Sequence, residues 1–346
     1  MKNSVTIQDI ANALGLSRNT VSKALNGQSV PDKTRSIVLN AAIEMGYKSY
    51  GLAAAPRKEK EHQQIAIVSN RLLIKINYYI YVLRGIEDSI ANRDIELVQF
   101  QVVSNSSFER FKRYLSTNHV DGIIGIEFFQ QDYAAELMKL GYPLVLLDTP
   151  FTLSPPRGKC DIILPESQNV IRNFCLRMIQ KEHCQTFGFV GDYQHCRSFY
   201  ERFAGMREAL FFSGIPYDPR YSILYDDASP YDSDALAKAL RDMAKLPDCL
   251  IAANDSIATD LLEALKLLDI KVPDAVKVIG FDNLVESKRT DPPLTSVNVN
   301  KTFLGQKTIS LMLDRIADPS RPNQTVYVAT SVVSRSTTSC TKEQEK

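Results

Sequence analysis

No stretch of this 346-residue chain approaches the ~20 consecutive apolar residues that span a bilayer. The opening, MKNSVTIQDI, also lacks the apolar run of a secretory signal, so the chain is expected in the cytoplasm, with no membrane partner. Cysteine pairing is missing too. Cys160, Cys175, Cys184, Cys196, Cys249 and Cys340 are scattered and none forms CxxC, which in that compartment points to reduced thiols. Histidine is scarce, at four. The pairs His183-Cys184 and His195-Cys196 come nearest to a zinc set, but their spacing fits no common zinc module. P-loop, GxSxG, HExxH and GxGxxG patterns are all absent. Acid–base chemistry by carboxylates is the one enzymatic route left open; no enzyme activity, no metal and no cofactor is expected.

The chain does have apolar bulk, 44% hydrophobic, enough for roughly two or three compact units. Its charge is unevenly spread. Residues 1–60 hold nine Lys/Arg against four Asp/Glu, a surplus of five positive charges; with a total of +1, the remainder carries a deficit of four. A basic head on an acidic body implies that only the head meets a polyanion.

Three short helices fit residues 6–46. Thr6 with Asp9 is a capping signature, and Ile7, Ile10, Ala11 and Leu14 form an apolar stripe ended by Gly15. Ser17 caps a second helix that stops at Asn26-Gly27. On it Asn19, Ser22, Lys23 and Asn26 share one face, and Val21, Ala24 and Leu25 the other. The third opens at Pro31-Asp32 and runs through Ile37, Val38, Ala41, Ala42 and Met45 to Gly46. Helix, tight turn, helix is the DNA-binding arrangement whose second helix enters the major groove. Residues 48–62, with Pro56 and a charge run, read as a linker. Beyond them, eight strand candidates (QIAIVS, IELVQF, GIIGI, LVLLD, CDIIL, TFGFVG, CLIAAN, AVKVIGF) alternate with helical stretches at 79–92, 165–182, 198–213, 232–245 and 255–268. Such alternation predicts a doubly wound α/β body with parallel sheets, and eight strands imply two similar lobes that cross over near Leu164. Ligands bind such folds at the C-terminal ends of strands. Asp148, Asn254, Asp255 and Asp282 fall there, although strand-end Asp and Asn also cap helices.

At these residues the chain resembles the LacI/GalR transcriptional repressors. The resemblance rests on VTIQDIANALGLSRNTVSKALNG and KTRSIVLNAAIEMGY, then on LRGIE at 83–87, RFAGMREAL at 202–210, AANDSIA at 252–258, VIGFDN at 278–283 and PPLTSV at 292–297, in the family's order. It implies an all-α helix-turn-helix head at 1–47, a hinge at 48–62, and a two-lobed body shaped like a periplasmic sugar-binding protein. The lobes comprise 63–163 plus 298–326 and 164–297 plus 327–338, before a tail at 339–346. Arg18, Asn19 and Lys23 are expected to read base edges, with Arg18 and Asn19 matched to guanine and adenine. Thr6, Ser17, Thr20, Ser22, Asn26, Lys33 and Thr34 are expected to touch phosphates. The expected partners are a palindromic double-stranded DNA operator, a second copy of the chain and a small-molecule effector.

The hinge departs from the family pattern. Ser49-Tyr50 replace the usual Pro-Asn, and Pro56 stands where a minor-groove leucine wedge is expected, leaving Leu52 as substitute among hinge residues Leu52, Ala53, Pro56 and Arg57. For the effector, the resemblance implies hydroxyl-binding Arg202, Asn254 and Asp282 with Asp148 as a fourth, Tyr78 or Tyr79 and Tyr225 as aromatic walls, and Leu164 on the cleft floor. A sugar that releases DNA is the favoured effector; a purine or another corepressor is the alternative.

Overall fold

The computed structural model describes residues 5–25, 30–45, 62–75, 77–129, 131–151, 160–224 and 232–338. Asn26, the hinge residues Leu52, Ala53, Pro56 and Arg57, and Tyr225 lie outside the described residues. The chain divides into a head and a body that begins at His62.

The head contains α1 (Ile7–Leu14), α2 (Arg18–Leu25) and α3 (Asp32–Glu44). Thr6 closes a full capping box with Asp9, and Gly15 ends α1 in the left-handed region at φ 64°, where a residue without Cβ pays no steric cost. Ser17 Oγ accepts the Thr20 amide at 3.0 Å and caps α2. Ile10, Ala11, Val21, Ala24, Leu25, Val38 and Ala42 make a small core, so the apolar half of each helix is turned inward. Ile37 is the exception at 46% exposed.

The body runs β1 (Gln63–Ser69), α4 (Asn77–Ile90), β2 (Ile95–Gln101), α5 (Asn105–Thr117), β3 (Gly122–Ile126), α6 (Gln131–Lys139), β4 (Leu144–Leu147), β5 (Cys160–Pro165), α7 (Gln168–Glu182), β6 (Phe187–Val190), α8 (Arg197–Phe212), α9 (Ser233–Asp242), β7 (Cys249–Ala252), α10 (Asp255–Leu267), β8 (Lys277–Asp282), β9 (Thr295–Asn298), α11 (Lys301–Ala317), β10 (Thr325–Val328) and β11 (Ser331–Val333). These strands form two sheets, ordered β10-β5-β4-β3-β1-β2 and β11-β9-β8-β7-β6. Every pairing is parallel except β11 against β9. Helices cover both faces, which is why β1 is apolar without alternation: Ile65 and Ile67 join one core, Ala66 and Val68 another.

Three sequence expectations need correction. IELVQF is an edge strand with Glu96 and Gln99 exposed and its apolar residues only half-buried, not a buried one, because β2 pairs only with β1. The lobes do not divide at Leu164 or at 326: β5 stays in the first sheet through Pro165 and β10 through Val328. The chain crosses back twice more, after β9 and after β10, and β9, β10 and β11 were not among the eight expected strands. All three are short, and their polar residues hide them from an apolar-run reading.

Two devices hold the first lobe's late elements in place. Asp161, fully buried on β5, accepts Arg315 Nε at 3.0 Å and Nη2 at 2.6 Å, Arg321 Nη2 at 2.5 Å and the Gln324 amide at 2.7 Å. Where α4 crosses α11, Gly85 lies against the Thr302 backbone and Gly305 against the Val82 backbone, so close that a Cβ at either would clash.

Candidate DNA-binding face and effector cleft

On α2 the residues facing away from the head's core are Arg18, Asn19 and Lys23, all exposed. Thr20 and Ser22 are half-buried on the same helix, and the Thr20 hydroxyl lies 2.8 Å from Ser17 Oγ. Thr6 is engaged in the α1 cap, and Lys33 (exposed) and Thr34 (half-buried) lie in the first turn of α3. A guanidinium, an amide and an ammonium therefore stand together on one polar helix face, as donors and acceptors for base edges must.

In the body, a cavity of about 730 Å³ opens where the strand ends of the two sheets converge. The first lobe contributes Arg71, Tyr78 and Tyr79 from the start of α4, Glu127 after β3, Asp148 after β4, and Pro165. The second contributes Asp192 and His195 after β6, Ser198 and Arg202 on α8, Asn254 after β7 and Asp282 at the end of β8. Glu127, Asp148 and Asp282 all hold positive φ (53°, 63° and 111°), a conformation that bulky residues keep only where the fold over-determines it. Three carboxyl groups are thus aimed into one space by strained strand ends.

Arg202 is 4% exposed, its guanidinium centred 3.6 Å above the Phe281 ring while Nη1 donates to the Ala253 carbonyl. Its Nε has no hydrogen-bond partner among the described residues. Asp282 is pushed up to about 7 by desolvation, opposed by Arg202 and Lys301 and assisted by Asp255 and Asp148. Tyr78 and Tyr79 meet edge to face at 4.9 Å and 78°, and desolvation lifts both hydroxyls well above their ordinary range.

Other expectations fare differently. Asn254 lines the cavity, yet its Oδ1 accepts the Ile257 amide at 2.9 Å and caps α10. Asp255 is 1% exposed and braces the loop after β8, accepting Ser296 Oγ at 2.6 Å, the Leu284 amide at 2.8 Å and Ser287 Oγ. Leu164 does not line the cleft; it is fully buried in β5, and the alternation of the strand gives that place to Pro165. Sequence reasoning missed Glu127, which is 8% exposed with Oε2 lacking a hydrogen bond and Arg71 Nε 3.9 Å away. Burial raises its carboxyl. It also missed His195, which packs edge-on against Phe129 across the lobes at 4.8 Å. The signal for Glu127 was present: it follows the apolar run GIIGI as Asp148 follows LVLL.

Residues 6–49 match the family described as bacterial regulatory proteins, lacI family, and residues 176–338 match a periplasmic binding protein-like domain. The head therefore carries the regulatory domain of the lacI family, and the body a periplasmic binding protein-like domain. It is 29% identical over 317 residues to the HTH-type transcriptional regulator CelR of Thermobifida fusca, covering 90% of this chain and 92% of that one. Among solved structures, its fold is similar to a transcriptional regulator CelR–cellobiose complex (TM-score 0.70, 24% identity, 96% of this chain and 99% of that one). It is also similar to the lac repressor dimer bound to operator and the anti-inducer ONPF (TM-score 0.67, 21% identity, 97% and 99%). With a lacI-family head, the chain is accordingly a transcriptional regulator, and its relatives are regulators rather than enzymes. Among the described residues no helix is long and apolar enough to cross a membrane, and no group of three or more His, Cys, Asp or Glu is placed to hold a metal ion.

Proposed function

We propose that this regulator is a repressor that binds a palindromic operator as a homodimer and is released by a neutral sugar seated between its lobes. The observation that carries the sugar reading is the convergence of Arg202, Asp148, Asp282 and Glu127, with the Tyr78–Tyr79 pair, on one cavity. Carboxylates accept from sugar hydroxyls, a guanidinium donates to them, and aromatic rings pack on the apolar faces of a pyranose. Seven carboxylate residues line the cavity against two arginines, a field that repels phosphorylated or acidic effectors.

On the head, Arg18 and Asn19 form the base-reading pair and Lys23 adds a third contact. Thr6, Ser17, Thr20, Ser22, Lys33 and Thr34 hold the backbone. Dimerisation doubles these contacts, and Leu72, Ile74, Ile80 and Tyr81, all more than 40% exposed near the start of α4, offer an apolar face for a second copy.

A thermal-shift panel tests the effector class, because a ligand that binds only the native state raises Tm. A neutral mono- or disaccharide should raise it, sugar phosphates should not, and Arg202→Lys and Asp282→Asn should abolish the rise. A shift produced by purines alone would transfer the cavity to the corepressor reading.

A further inference from the structure

The N-terminal half of α8, in the second lobe, is fastened to the first lobe by groups outside the cavity. Tyr327, on β10 of the first sheet, donates its hydroxyl to Glu201 Oε1 at 2.6 Å and accepts Arg197 Nη2 at 2.7 Å. Arg197 Nε closes the triangle onto Glu201 Oε1 at 3.0 Å, and the Arg197 amide donates to the Thr149 carbonyl, just beyond β4, at 2.8 Å. None of the three side chains lines the cavity. Glu201 is 6% exposed and its Oε2 has no hydrogen bond among the described residues, a cost the fold accepts here. The next residue along α8 is Arg202, whose guanidinium does face the cavity.

We propose that Arg197, Glu201 and Tyr327 form an inter-lobe latch that holds the arrangement seen here, and that the effector shifts the lobes against it. This rests on the effector reading above. The reasoning is mechanical: a helix is rigid over one turn, so a ligand that draws on Arg202 moves Glu201 with it. The bonds of the Tyr327 hydroxyl are among those that must stretch if the lobes turn. The triad positions the lobes; it touches no ligand.

The test is single-molecule energy transfer on the full-length protein without DNA or sugar. Dyes are carried on unnatural amino acids at exposed Glu109 of α5 and Lys266 of α10, one per lobe. Removing one hydrogen bond should change a two-state lobe equilibrium by about two- to tenfold. Tyr327→Phe, which removes two such bonds, should enlarge the minor distance population by at least that factor, Arg197→Gln, which removes one of them, should enlarge it by that factor, and Tyr200→Phe, on the same helix but outside the triad, should leave it unchanged. An unaltered distribution in Tyr327→Phe with its far-UV spectrum intact would overturn the latch, as would an equal change in Tyr200→Phe. Because the readout needs neither operator nor effector, it stands apart from the regulator reading, whose failure would instead appear as no sequence preference on DNA and no sugar-dependent Tm.

Discussion

At Asp282 one carboxyl ties stability to pH and, on the effector reading proposed above, ties recognition to pH as well. It titrates near 7 in the fold against an ordinary 3.8, so between those values the folded chain holds a proton that the unfolded chain has released; its contribution to stability falls as pH rises through that window. Recognition has the opposite sign. Sugar hydroxyls donate more strongly to a carboxylate than to a carboxylic acid, so sugar affinity should climb from about pH 6 to about pH 8, as read by titration calorimetry. An affinity independent of pH in the parent protein would remove Asp282 from the ligand contacts. On the head, Arg18→Ala should cost about 1–3 kcal/mol of operator affinity and relax preference at one base. Lys33→Ala should weaken all sequences alike and lower the salt slope by about one; binding assays across a salt series separate the two roles. The residues beside strand ends were legible from sequence, because a polar residue closing an apolar run is visible without coordinates. What was not legible is which of them is already satisfied: Asn254 caps its own helix and Asp255 is held by loop-bracing bonds from distant residues, while one oxygen of Glu127 is left without a hydrogen bond among the described residues.

The elements depend on a few internal fixings. Asp161 joins β5 to Arg315 of α11 and to Arg321, and the segment that follows leads into β10. Asp161→Ala leaves two cations unneutralised in or near the core, and removal of one partner from a buried pair costs about 3–5 kcal/mol. Denaturant unfolding should show that loss, concentrated in exchange protection of β10 and its neighbours. At the α4–α11 crossing, Gly85→Ala or Gly305→Ala should destabilise by about 1–3 kcal/mol through overpacking, with little effect on the head, which is a separate unit. The helical stretches 79–92, 165–182, 198–213, 232–245 and 255–268 match α4, α7, α8, α9 and α10 to within three residues. The strands β9, β10 and β11 escaped because, unlike the equally short but apolar β4 and β7, they carry polar residues, and their pairing is fixed by register with partners far along the chain.

Across the whole molecule, a basic head and an acidic body were visible in the charge count, and alternation of strands and helices predicted two parallel sheets. The three crossings between lobes were not visible, since a crossover is set by which sheet receives a strand, not by the strand's own composition. Those crossings matter functionally: they place β10, with Tyr327, in the first lobe and α8 in the second, so that cleft and latch share one helix. The central claim, a dimeric operator-binding repressor, is tested most directly by selecting bound duplexes from a random DNA pool with the full-length protein at near-physiological salt and sequencing them. The expected result is a palindrome whose half-sites lose definition at single positions in Arg18→Ala and Asn19→Ala. Enrichment that depends on salt but shows no sequence preference, with and without the sugars of the thermal-shift panel, would contradict it.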